Sequence, residues 1–181
     1  MRAIASKARV QPAAIYHHYP SKEEILVGLQ DDFMERLTEQ VVGAVERYGD
    51  PALRLAAGVR EHVVFHGLHT RAAFVTDSEI RALADEPRAA LIAKRDAYQR
   101  MFSGMIRDGI RDGSLRTSDV HVATYAILLQ CTGVALWFDP RGPLAIEDVA
   151  ELHVELVLRS LQASSELIAE AIEKGRVGVA P

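Results

Sequence analysis

Cysteine occurs once, at Cys131, so no internal disulfide can brace this chain of 181 residues, as suits a reducing compartment. No apolar run reaches the eighteen or so residues of a membrane span, and no positively charged leader precedes an apolar stretch. Neither membrane insertion nor export is expected, and the place of action is read as the cytoplasm. Also missing are a Ser/His/Asp set, a glycine-rich phosphate loop and a strong metal signature, which argues against an enzyme and implies no cofactor. What remains is ordinary for a globular chain: 49% hydrophobic and 25% charged residues can bury a substantial core, as one domain plus a small appended one. A net charge of −4 speaks at first against nucleic acid.

The distribution of that charge speaks for it. Residues 1–22 lack any acid but hold Arg2, Lys7, Arg9 and Lys22, so this segment carries +4 and the remainder −8. Four cations can sit on phosphates while the acidic body stays off them, although a solvated basic terminus would look the same. The stretch Ile4–Lys22 has the size and order of a helix-turn-helix. Ile4, Ala5 and Ala8 make one small apolar side of a first helix, Val10 plugs the turn, and Pro12 suits the first turn of a second helix beginning near Gln11. Ile15 and Tyr19, four apart, hold that helix to the core. Gln11, Ala13, Ala14, Tyr16 and His17 then face outward, small first and hydrogen-bonding later, as entry into a major groove requires.

Ile4-Ala5, Ala8, Val10, Ile15-Tyr16, His18-Tyr19, Lys22-Glu23 and Ile25-Leu26 together resemble the N-terminal motif of the TetR family of bacterial transcriptional repressors. The resemblance implies an all-α protein with a DNA-binding region over residues 1–47, a ligand-binding and dimerisation domain over 48–174 and a flexible tail over 175–181. It implies a homodimer on a palindromic DNA operator, with Gln11, Pro12, Ala13, Ala14, Tyr16 and His17 at the DNA and Lys22 on phosphate. Two positions depart from the motif. Arg9 stands where glycine is usual, so the turn is expected to be strained or altered, and Gln11 replaces the usual serine cap. The family's first helix would fall ahead of Met1, so the reading head is expected to be held less firmly. The alternative function is a ligand-binding helical dimer that has lost its grip on DNA through N-terminal truncation.

Further along, Ser21 caps a helix whose apolar positions recur as Ile25, Leu29, Phe33, Leu37, Val41 and Val45. Asp50-Pro51 opens the next, on which His62, His66 and His69 share one arc; that spacing could hold a metal with Asp77 or Glu79 completing the site, but for want of further ligands at fixed spacing a polar pocket wall or a half-exposed face is the favoured reading. A short helix from Arg71 to Leu83 ends at Asp85-Glu86-Pro87, and a long one from Pro87 to Gly113 carries Tyr98, Met101, Phe102 and Met105 on one side. From Val120 to Phe138 a helix is apolar nearly all round and needs a second molecule on one side. Val149, Leu152, Leu156, Val157 and Leu161 offer it a partner stripe for a twofold, four-helix interface. The loop Trp137–Leu144 is similar to that of family members answering to acyl-CoA thioesters in lipid and steroid degradation. That likeness implies an apolar effector among His62, Phe65, His66, Tyr98, Phe102, Met105, Gln130 and Trp137, with a basic mouth at Arg141. A core tryptophan beside a solvated arginine is the plain rival.

Overall fold

In the computed structural model, which describes residues 2–177, helix α1 spans Arg2–Ala8 and α2 spans Pro12–His18. The turn between them passes through Arg9 at φ 56°, a left-handed conformation that costs a bulky residue about 1 kcal/mol. The turn thus keeps its shape and takes the strain. Gln11 is extended, its side chain makes no cap bond, and Pro12 opens α2. Ala5 is buried, but Ile4 and Val10 stay well exposed, so Val10 does not plug the turn: no described element lies over it. Tyr19 rests against Gly28, 3.4 Å from where a Cβ would stand, and so seats α2 on the third helix.

That helix, α3 (Lys22–Val45), starts where Ser21 Oγ accepts the Glu24 N–H at 3.0 Å, and it buries Phe33, Met34, Leu37, Val41 and Val45. Helix α4 (Pro51–Leu68) begins under the Asp50 carboxylate, which accepts the Leu53 N–H at 2.9 Å. With Ala52, Leu55, Val59 and Val63 all buried, it forms the central post that α3, α6, α9 and α10 surround.

Helix α5 (Thr70–Ser78) gives way to a 3-10 turn at Ile80–Ala82, and α6 runs Asp85–Asp112. Asp85, Glu86 and Pro87 therefore open α6 instead of ending its predecessor. Acids are favoured in a first turn, and proline loses nothing where no N–H partner exists. Gly113, at φ 86°, closes α6 in the left-handed conformation, and the Leu115 N–H returns to Gly109 O at 2.9 Å. Leu115 folds back so tightly that a Cβ on Gly109 would stand 2.5 Å from its Cδ1 and 2.7 Å from its Cγ. Gly109→Ala should therefore cost about 1–3 kcal/mol in urea unfolding. Gly104→Ala, on the same helix with nothing within 4 Å, should be neutral or gain up to about 1 kcal/mol; equal effects at both sites would refute the packing argument.

The apolar helix expected to be continuous is two, α7 (Val120–Thr132) and α8 (Val134–Trp137), parted at Gly133. Over Val120–Trp137 the mean hydropathy is 1.4 across 18 residues, so length and composition here do reach those of a membrane span, contrary to the sequence reading. Helix α9 (Ile146–Ser160) is followed by α10 (Ser165–Val177), which that reading did not separate. Ile168 and Ala171 bury α10 against the body, and Arg176 grips Glu151 through Nε at 2.9 Å and Nη2 at 2.7 Å. Residues 175–177 are accordingly helical, not tail; 178–181 lie outside the described residues.

Candidate functional site

On α2, Ile15 is half-buried while Gln11, Ala13, Ala14, Tyr16 and His17 are exposed, Tyr16 to 49%. Lys22 is also exposed, and Lys7, Arg9 and Lys22 form no ion pair among the described residues. A helical face bearing a phenol, an imidazole and small residues thus stands beside uncommitted cations.

A cavity of about 570 Å³ opens between α3, α4, α5, α6 and the α7–α8 pair. Its apolar wall includes Phe33, Met34 and Leu37 of α3 and Leu128, Leu129 and Leu136 of α7–α8; its polar wall includes His62, His66, Thr76, Arg95 and Tyr98. His62 ties three helices together, with Nδ1 2.9 Å from the Tyr98 hydroxyl and Nε2 3.0 Å from Thr132 Oγ1. His66 stacks on His62 at 4.1 Å and donates from Nδ1 to the His62 carbonyl at 2.8 Å. Burial, and then the neighbouring His66, pushes the His62 imidazole well below its usual range; burial brings His66 down to about 4. Both rings are neutral at pH 7. His69 turns away, donating to Phe65 O at 2.9 Å and accepting from Arg36 Nη2 at 3.0 Å. The three histidines share an arc without converging, and the described residues contain no group of three or more side chains placed to hold a metal ion.

Of the residues expected around a ligand, His62, His66 and Tyr98 line the cavity. Phe65, Phe102 and Met105 do not; they lie in the core, with Phe65 edge-on to Phe33 at 5.1 Å and Phe102 beside Tyr98 at 5.2 Å. Gln130 is on the exposed side of α7, and Trp137 lies parallel to His153 of α9 at 6.5 Å. Arg141 forms no mouth. Its guanidinium returns to the Asp139 carboxylate, Nε at 3.0 Å and Nη2 at 2.9 Å, because two residues of turn bring the ends together. The cation at the cavity is Arg95, which no pattern in the sequence singles out. Phe33 and Leu37 show a four-residue spacing that reads alike for core and cavity wall, and Met34 lies beside it.

Residues 1–29 match the family described as bacterial regulatory proteins, tetR family, and residues 48–161 match the tetracyclin repressor-like C-terminal domain. The chain belongs to the TetR family. It is 28% identical over 169 residues to the HTH-type transcriptional repressor KstR2 of Mycolicibacterium smegmatis, covering 91% of this chain and 81% of that protein. A TetR-family regulatory protein from Rhodococcus RHA1 superposes with a TM-score of 0.84 at 26% identity, over 91% of this chain and 86% of that one. AibR in complex with isovaleryl coenzyme A and operator DNA gives 0.77 at 26% identity, over 85% and 84%. TetR proteins are transcription regulators, not enzymes.

This TetR regulator has one further surface of note. Helix α7 has no charged residue and exposes Val122 and Leu129; α8 exposes Leu136 and Trp137, and α9 exposes Leu152 and Leu156. These large apolar side chains are left uncovered in the single chain, and Leu129 and Leu136 also border the cavity.

Proposed function

We propose that the protein is a repressor that binds a palindromic operator as a homodimer in the cytoplasm and lets go when an apolar effector enters the cavity. The observation that carries this reading is α3. It begins directly after the reading helix α2 and, about three to four turns on, supplies Phe33, Met34 and Leu37 to the cavity wall. A ligand that moves those side chains moves the helix on which the reading head is seated. Pairing through α7 and α9 would set two such heads on one DNA face, as a twofold operator needs. Acyl-CoA thioesters are natural first candidates for the effector, given the ligand held by AibR. In this reading the acyl group occupies the cavity, and Arg141 has no part in holding the phosphates.

A gel shift with the gene's own upstream DNA tests the proposal. Tyr16→Ala with His17→Ala should weaken binding about 10- to 100-fold at fixed salt while leaving the dimer intact. Lys22→Ala should weaken it evenly across sequences and lower the salt slope by about one. Retained affinity in the double variant would remove α2 as the reader. Failure of the unaltered chain to shift any upstream DNA would favour the ligand-binding dimer without DNA binding.

A further inference from the structure

The polar groups on the cavity wall are specific about what they can receive. Arg95 is already engaged, with Nη2 2.8 Å from Thr76 O and 3.0 Å from Asp77 Oδ1. Asp96, on the same wall, forms no ion pair among the described residues. Arg95 Nε and Nη1 have no partner among the described residues, but Asp77 balances the charge and Asp96 leaves the wall net negative, so an anion entering it would meet uncompensated acid. A cation fares little better: Asp77 is taken, Asp96 is exposed at the rim, and no buried free carboxylate waits inside.

Two buried neutral groups are left open; Gln99, Ser78 and Tyr125 on the same wall are half-buried or exposed. His66 must carry its proton on Nδ1, since its partner there is a carbonyl oxygen that can only accept. Its Nε2 is consequently a lone pair, and it makes no hydrogen bond among the described residues. Thr76 lines the cavity and is 1% exposed; its Oγ1 has no partner and is itself sealed, so it meets a ligand only after the side chain turns about χ1. One group wants a donor; the other can donate or accept. A hydrocarbon satisfies neither, a ketone offers nothing to His66, and a carboxylate brings acceptors to an acceptor. A hydroxyl is donor and acceptor at once.

We infer that the part of the effector inside the cavity is an uncharged apolar body bearing a hydroxyl, which donates to His66 Nε2 and, once the Thr76 side chain turns toward it, accepts from Thr76 Oγ1. This rests on the cavity being the effector site. His66 and Thr76 then set specificity, while Phe33, Met34, Leu37 and Leu128 supply the apolar contact.

The test is calorimetry on the full chain with four probes of one shape: butylbenzene, 4-butylphenol, 4-butylbenzoate and 4-butylbenzylamine. The phenol should bind about tenfold tighter than the hydrocarbon, and both charged probes more weakly than either. Thr76→Val, nearly isosteric, and His66→Phe should each bring the phenol close to the hydrocarbon in affinity, with an unchanged circular dichroism spectrum reporting that the variants are folded. A charged probe binding tightest, or a phenol preference surviving both substitutions, would overturn the hydroxyl assignment and leave the cavity standing as a ligand site. If none of the four binds, the cavity itself is misassigned, and the inference falls with it.

Discussion

Leu152→Glu combined with Leu156→Glu should yield a folded monomer that no longer retards operator DNA. The two leucines are one turn apart on α9 and are 51% and 57% exposed in the single chain, so replacing them removes little from the protomer's own core. Neither lines the cavity, so effector binding is left out of the result. In a twofold interface each position counts twice. With about half of each side chain still to bury, at about 1 kcal/mol apiece, loss of the four leucines costs about 4 kcal/mol, roughly a thousandfold in dimer affinity. Burying four carboxylates in their place adds to that. Sedimentation at micromolar concentration should show the halved mass, circular dichroism should be unchanged, and the gel shift should vanish because a lone head grips only a half-site. A variant that remains dimeric would mean that α9 is not the pairing surface.

Where local chemistry decides, the chain could be read closely from its residues. Ser21, Asp50 and Asp119 each cap the helix that follows, and Gly113 stops α6 in the left-handed conformation its position demanded. The positive φ at Arg9 could likewise be anticipated from the register of the motif alone. The cavity could not, for a physical reason. Phe33, Phe65 and Phe102 are equivalent members of apolar stripes; which of them borders a void depends on the crossing geometry of six helices, and no spacing rule encodes that. His62 and His66 were found because a polar ring on a buried arc is conspicuous whatever the crossing. Arg141 misled although its answer stood two residues away, since Asp139 in the same turn is the nearest counter-charge. The break at Gly133 and the separate α10 were open to reading too. Gly133 is the glycine within a largely apolar stretch, and Ser164 Oγ, 3.2 Å from the Leu167 N–H, caps a helix whose Ile168 and Ala171 are buried.

Acid should unfold this protein in a window assignable to the stacked histidines. An unfolded histidine titrates near 6.5, whereas burial holds folded His66 at about 4 and His62 well below its usual range. Above pH 6.5 neither state binds the proton and stability is flat. Between 6.5 and 4 only the unfolded chain binds it, so stability falls with falling pH, and below 4 the His66 contribution levels off. For His66 alone the loss over that window is about 3 kcal/mol, and His62 acts in the same direction. Carboxylates also lose stabilising interactions in acid, so the diagnostic is a difference. Taken at one protein concentration, the urea midpoint of the unaltered chain minus that of His66→Phe should be constant between pH 7.5 and pH 6.5 and then fall down to pH 5, as only the former loses stability to protonation of His66. A difference that stays constant across the whole range would mean that folded His66 titrates as it does in the unfolded chain, so that burial does not hold the ring neutral.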